Sequence, residues 1–399
     1  MCDSGLNEHA ANGRFVRRIS AAVLWFLLLP IQLDAQAIFV KEHGYTLDLP
    51  VGWEPFDASD PDKLSFSDPV YGAMLQVTVF SHEKDMSAEE MERELRRQIN
   101  AEGEGAPFVF SGRESFLSDV TFSSAGKDLR GYLLVIKGLD GNRGAGPAED
   151  CLLVCFSTVD GYEKALDSIL SALDSFSPDQ EGRLLPGPIS QFLSPFPDAE
   201  RESISLQFLG QTLRTAIGAG DRDASQVLVE REARLLAAYK AGQVDAWNRF
   251  YRTIYRDCYH RLDGIVQVVS AALAAQKVPE NEAPLRILSW IQGFEFKRTG
   301  TLADFLSPLS VAASASGDCD SRAILYDAIL EHLGLEAILL VSVKYAHALA
   351  GVALDRDGAA FMLDGKKYIV AEMTEVVDIG MIHKDMADAK EWIPMRLRE

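Results

Sequence analysis

SGDCDSRAILYDAILEHLG, residues 316–334, sets a cysteine at the point where a turn becomes a helix. Asp318 is placed to cap that helix, its carboxylate accepting from a free first-turn N–H. Gly334 closes it, because glycine enters the left-handed backbone region without a steric penalty. Ile324, Ala328, Ile329 and Leu333 fall at helical spacing and predict a face turned to a core. Cys319 then belongs to the first turn, where unpaired N–H groups and the positive end of the dipole favour a thiolate. A thiolate is a nucleophile and a thiol a small hydrophobe, so the residues downstream decide what this cysteine does.

Downstream the pattern turns to strands. LEAILLVSV (335–343), YAHALAGVAL (345–354), AAFMLDGKKYIVAEM (359–373) and EWIPM (391–395) alternate or run apolar, and Asp364-Gly365 marks a hairpin turn. A helix packed on an antiparallel sheet is the expected product. His347 stands on one of these strands, and the next carries Glu372. Thiolate, imidazole and carboxylate are the three groups that cysteine catalysis needs: a nucleophile, a proton carrier and a group to orient the imidazole. Glu375 and Asp378 are alternative sources of the acid. Asp318, Asp320 and Arg322 read as capping and helix-surface groups.

GDCDSRAILYDAILEHLGLEAILLV, HALAGVAL and YIVAEMT together resemble the transglutaminase-like cysteine hydrolase superfamily in its bacterial exported form. WIQGFEF, upstream, is similar to the word that precedes the cysteine in that family. The resemblance spans about residues 284–380 and implies a papain-like Cys–His–acid mechanism on amide bonds, with no metal or cofactor. It assigns Cys319 as nucleophile, His347 as general base, Glu372 as the acid, Thr374 as the residue after it and Gln292 as a helper near the oxyanion. Two positions depart from the pattern. Glu372 stands where Asp is usual, and Phe296 where Tyr is usual.

Working back from this region, residues 202–283 read as a helical segment, from SISLQFLGQTLRTAI onward. Trp247, Phe250, Tyr251, Ile254 and Tyr255 recur at helical spacing and predict a packing face. Residues 179–201 are rich in Pro, Gly and Ser and read as a linker. Residues 38–178 mix short alternating strands with the capped helix SAEEMERELRRQIN (87–100) and the amphipathic stretch 161–176, an antiparallel-sheet α/β sandwich. Its opening, YTLDLPVGW, resembles the PsbP-like group of small export-associated domains. No nucleophile–base pair or metal spacing occurs in this region, so a binding or positioning module is expected, and a plain spacer fits the residues equally. The expected whole is an α+β chain, in which the resemblance implies a transglutaminase-like domain over 284–399.

Residues 1–37 have the anatomy of a signal peptide: basic RFVRR (14–18), apolar ISAAVLWFLLLP (19–30) and the A-x-A site Ala35-Gln36-Ala37. The apolar run is too short for a bilayer crossing. An exported mature chain, periplasmic or secreted, with no membrane span is therefore expected. Cys151 and Cys155 lie along one apparent strand, too far apart to bridge each other. They and Cys258 read as core residues, and a Cys258–Cys319 disulfide is the arrangement that would remove the nucleophile. The net charge of −20 over 399 residues disfavours nucleic acid and anionic membranes as partners. The seven histidines show no paired ligand spacing, so no metal is expected. A cysteine amidase or peptidase acting on peptide or cell-envelope material is the leading expectation. A non-catalytic envelope scaffold that keeps the fold is the alternative.

Overall fold

A computed structural model describes residues 37–81, 86–139, 149–239 and 243–398. The signal-peptide reading falls almost wholly outside them. The fold is α+β, with antiparallel sheets and packed helices. Among the described residues no helix is long and apolar enough to cross a membrane.

Seven antiparallel strands form the first sheet, in the spatial order Glu54–Asp60, Lys63–Asp68, Ala73–Phe80, Glu149–Thr158, Lys127–Leu139, Arg113–Ser124, Glu102–Phe110. Strand Ala73–Phe80 alternates strictly between buried and half-buried residues, as a strand with unlike faces must. The helix Tyr162–Asp174 covers one face, packing Ala165, Ile169 and Leu173 with Leu75, Val77 and Leu153. The helix Ala88–Gln98 covers the other through Met91 and Leu95. Its Ser87–Glu90 capping box forms as the sequence predicts. Cys151 and Cys155 are buried mid-strand, and all four described cysteines are free.

Residues 179–201 carry a short helix, Pro188–Leu193, in place of a free linker. Asp174 caps it by accepting from the N–H groups of Ile189 and Ser190 at 2.8 and 3.0 Å. SISLQFLGQTLRTAI is not helical either. It forms a hairpin, Arg201–Phe208 paired with Gln211–Gly218, with Ile204, Leu206 and Phe208 buried on one face. Leu209 and Gly210 turn it with φ of 49° and 73°, the left-handed pair of a tight hairpin turn. Helices Asp221–Ala238, Val244–Tyr259 and Asp263–Ala275 follow, and the aromatic stripe of the second is a packing face as expected.

A second sheet of five antiparallel strands runs Ala360–Leu363, Lys366–Ala371, His347–Val352, Ala337–Ser342, Ile393–Met395. The helix Cys319–His332 packs on one face. A single apolar cluster joins that helix, this sheet face, the hairpin and the middle helices, from Ile204 to Leu397. The cysteine helix is buried on nearly all sides, not on one stripe.

An ionic seam binds the seven-stranded unit to the middle helices. Arg252 grips the Asp48 carboxylate with two bonds of 2.7 and 2.8 Å. Arg249 donates to Glu232, Ser171 and the Asp48 carbonyl, and Arg256 to the carbonyls of Asp174, Phe176 and Leu185. Arg231 meets Asp174 at 2.7 Å. Desolvation pulls the Arg256 guanidinium down to about 10, still charged at neutral pH.

Candidate active site

Cys319 is the first residue of its helix. The cap is reciprocal: Asp318 accepts from the Ser321 N–H at 3.1 Å, and the Ser321 hydroxyl accepts from the Asp318 N–H at 3.1 Å. Gly317 must lack a side chain, because a Cβ there would lie 2.8 Å from both the Ser321 hydroxyl and a Val311 methyl. The chain before it pairs in parallel with Glu295–Phe296, so the segment after Gln292 runs beside the approach to the cysteine.

Cys319 is 3% exposed. Its thiol donates to the Asp320 carboxylate at 3.2 Å, and the Ala348 backbone N–H reaches the sulfur. The Tyr251 hydroxyl donates to the other Asp320 oxygen. Burial and the charges of Asp320 and Asp318 push the thiol up, against the pull of the Ala348 N–H. This corrects the expectation drawn from the helix start. The dipole favours a thiolate, but two carboxylates and desolvation outweigh it, so the resting sulfur carries its proton. Asp318 is itself pushed up to about 6, by burial and by Asp320.

His347 opens its strand directly after Ala346, whose left-handed backbone (φ 47°) ends the turn from Ser342. Nε2 of His347 lies 2.7 Å from Glu372 Oε2. The other Glu372 oxygen accepts from the N–H and hydroxyl of Thr374, both at 2.6 Å. Burial alone would raise the Glu372 carboxyl, but His347 and Thr374 outweigh it and hold it below its ordinary value. Carboxylate and imidazole are thus locked in one orientation. The longer Glu side chain reaches His347 without strain in the hydrogen bond. Among the described residues Nδ1 of His347 has no hydrogen-bond partner, and Ala348, whose N–H touches the sulfur, is the next residue. Trp392 packs edge-on to the ring at 6.3 Å. Glu375 and Asp378 are exposed, and the carboxylate on His347 is that of Glu372.

Gln292 does not aim at an oxyanion position. Its amide nitrogen donates to the carbonyls of Glu372 and Val377, both at 2.9 Å, using both hydrogens. It braces the strand end that carries Glu372. Arg322 is not on the helix surface either. It is 1% exposed, and its guanidinium donates to the carbonyls of Gly317, Phe294 and Met373 at 2.9, 2.8 and 3.2 Å. One side chain therefore ties together the segments holding Cys319, Gln292 and Glu372. Spacing alone gave no sign of this. The signal was weak, a charge directly before the apolar run Ala323-Ile324-Leu325, and a guanidinium buried there requires several acceptors. Phe296 is exposed, on the strand that pairs with Gly317. A cavity of about 630 Å³ is lined by Leu206, Trp290, Phe294 and Ala315 among others, and by none of Cys319, His347 and Glu372.

No protein-family model matches the chain, and no curated protein matches it. Solved structures with some likeness include CyanoP, the cyanobacterial PsbP of Synechocystis sp. PCC 6803, with 14% identity, TM-score 0.28, and coverage of 38% of this chain and 96% of that one. LpqN, involved in cell envelope biogenesis of Mycobacterium tuberculosis, has 10% identity, TM-score 0.24, and coverage of 37% and 88%. A provisionally assigned cysteine protease from Cytophaga hutchinsonii has 11% identity, TM-score 0.23, and coverage of 80% of each chain. Scores this low carry no argument about function, which is drawn from the site itself.

Proposed function

We propose that the chain is an exported, transglutaminase-like cysteine amidase or peptidase in which Cys319 is the nucleophile, His347 the general base and Glu372 the acid that orients it. The observation that carries this reading is the 2.7 Å His347–Glu372 pair, one residue from the N–H that touches the Cys319 sulfur. Glu372 holds Nε2, which leaves Nδ1 as the nitrogen to take the thiol proton. With a protonated resting thiol, His347 acts as a true general base: it removes the proton as the sulfur attacks the amide carbonyl. The imidazolium then protonates the leaving amine, and water releases the acyl group from sulfur. Free N–H groups of the helix's first turn would receive the developing oxyanion. The substrate class is peptide or cell-envelope amides, reached after removal of residues 1–37, and no metal or cofactor enters the reaction.

Intact-mass analysis of the full chain after exposure to a peptidyl vinyl sulfone tests this. One adduct should form, on Cys319, and His347→Ala should slow its formation by two or more orders of magnitude. The second reading, a non-catalytic scaffold, is favoured by the burial of the thiol and its bond to Asp320. An inert Cys319, or equal labelling in His347→Ala, would leave only that reading.

A further inference from the structure

The far end of the cysteine helix meets a cluster that the proposed chemistry does not use. His332, in the last turn, lies with Nε2 3.1 Å from Asp263 Oδ1. His260 Nδ1 lies 3.2 Å from Asp263 Oδ2. The short 3-10 turn His260–Leu262, between the helices Val244–Tyr259 and Asp263–Ala275, puts His260 and Asp263 on one side. His332 arrives from 69 residues downstream. One ligand-type atom from each of the three lies within 4.8 Å of the other two.

The hydrogen-bond accounting of His332 is the telling part. Its Nδ1 lies 2.6 Å from the Ala328 carbonyl, which only accepts, so Nδ1 carries the proton. A neutral His332 then points the bare lone pair of Nε2 at a carboxylate oxygen, which also only accepts. Two acceptors at 3.1 Å need a positive centre between or on them. A Zn²⁺ with nitrogen and oxygen ligands at about 2.0–2.1 Å in a tetrahedron sets those ligands about 3.3 Å apart. Asp263 Oδ1 alone lies 3.1 Å from His332 Nε2 and 3.3 Å from His260 Nδ1, and both spacings match that edge. An imidazole whose second nitrogen donates to a backbone carbonyl is also the usual arrangement of a metal-bound histidine, which fixes the tautomer and ring angle. The Tyr259 ring stacks on His332 at 3.8 Å and holds the ring plane. His260 and Asp263 are open to solvent on their outer side, which leaves room for a fourth ligand such as water.

We propose that His260, Asp263 and His332 form a divalent-metal site, of zinc type by its ligands, that clamps the C-terminal end of the cysteine helix to the start of the helix Asp263–Ala275. The site is structural: it lies at the opposite end of the helix from Cys319 and offers the metal no route to the thiol. Two imidazoles and one carboxylate suit a borderline metal and disfavour Ca²⁺ or Mg²⁺, which take oxygen ligands.

Zn²⁺ and Co²⁺ binding to the full chain bearing Cys319→Ala tests the proposal, since that background removes the other thiol–carboxylate set, Asp318–Cys319–Asp320. One equivalent should bind, with the intense visible absorption of four-coordinate Co²⁺ and a rise in Tm on adding Zn²⁺. Asp263→Asn and His260→Gln change solvent-facing groups and should still fold, with affinity at least tenfold weaker. His332→Gln should abolish binding. Failure of Zn²⁺ to bind at micromolar concentration would overturn the site. So would unchanged affinity in Asp263→Asn and His260→Gln. A nitrogen NMR signature of a doubly protonated His332 that persists with Zn²⁺ present would assign the positive centre to the imidazolium instead.

Discussion

The seven-stranded and the five-stranded sheets both bury cysteine sulfur, and in both burial pushes the thiol up. Cys151 and Cys155 sit in the middle of a central strand, flanked by Leu152, Leu153 and Val154. Cys319 sits at a helix start, against the strand that begins with His347. Desolvation is common to the three. What differs is an imidazole, held by a carboxylate, on the strand that packs against the cysteine helix. Under the proposed function, a raised thiol means that proton removal and attack are concerted and that no stored ion pair is used.

The largest effect that would sharpen this contrast belongs to Glu372→Gln. The amide cannot stabilise an imidazolium and permits the wrong tautomer, so turnover of an amide substrate should fall on the order of 10²–10⁴-fold with the fold intact by circular dichroism. Cys151→Ala and Cys155→Ala, assayed alongside, should leave turnover unchanged. Next comes Arg322→Met, which leaves the carbonyls of Gly317, Phe294 and Met373 without their donor. Urea unfolding should show a loss of about 3 kcal/mol, at roughly 1 kcal/mol for each neutral acceptor.

A smaller effect is expected from the acids beside the sulfur. Asp320→Asn removes the charge next to Cys319, so the pH midpoint of thiol labelling should move down by about one unit. Asp318, raised to about 6, is a carboxyl whose neutral form the fold prefers. Its contribution is complete below about pH 4 and is lost as pH climbs through 6. Stability measured across that window should therefore fall in the native chain and stay flatter in Asp318→Asn. The least effect should come from Phe296→Tyr. The ring is exposed, and both stability and labelling should stay within about 0.5 kcal/mol of the native values. A large gain in labelling there would mean the missing hydroxyl matters after all.

The features legible in the sequence were those set by local rules. The Asp318 cap, the Asp364-Gly365 hairpin and the alternation of Ala73–Phe80 each depend on neighbours within a few residues. The hairpin Arg201–Gly218 was misread because SISLQFLGQTLRTAI satisfies apolar spacing of either period over so short a run. The strict alternation Ile204, Leu206, Phe208 and the Leu209-Gly210 turn were the better signal. Gln292 and Arg322 escaped for another reason. Their partners are backbone carbonyls between 5 and 85 residues away, and a carbonyl leaves no trace in residue type. The cluster at His332 was hidden similarly, since its ligands pair only once two distant helices are packed.

The ionic seam has a mechanical consequence. Arg249, Arg252 and Arg256 each reach back across the boundary into the first sheet's unit, so charged bonds as well as the chain tie the two halves together. Whatever surface the front half rests on, the sulfur is carried at a set reach and a set angle from it, as a blade is from its handle.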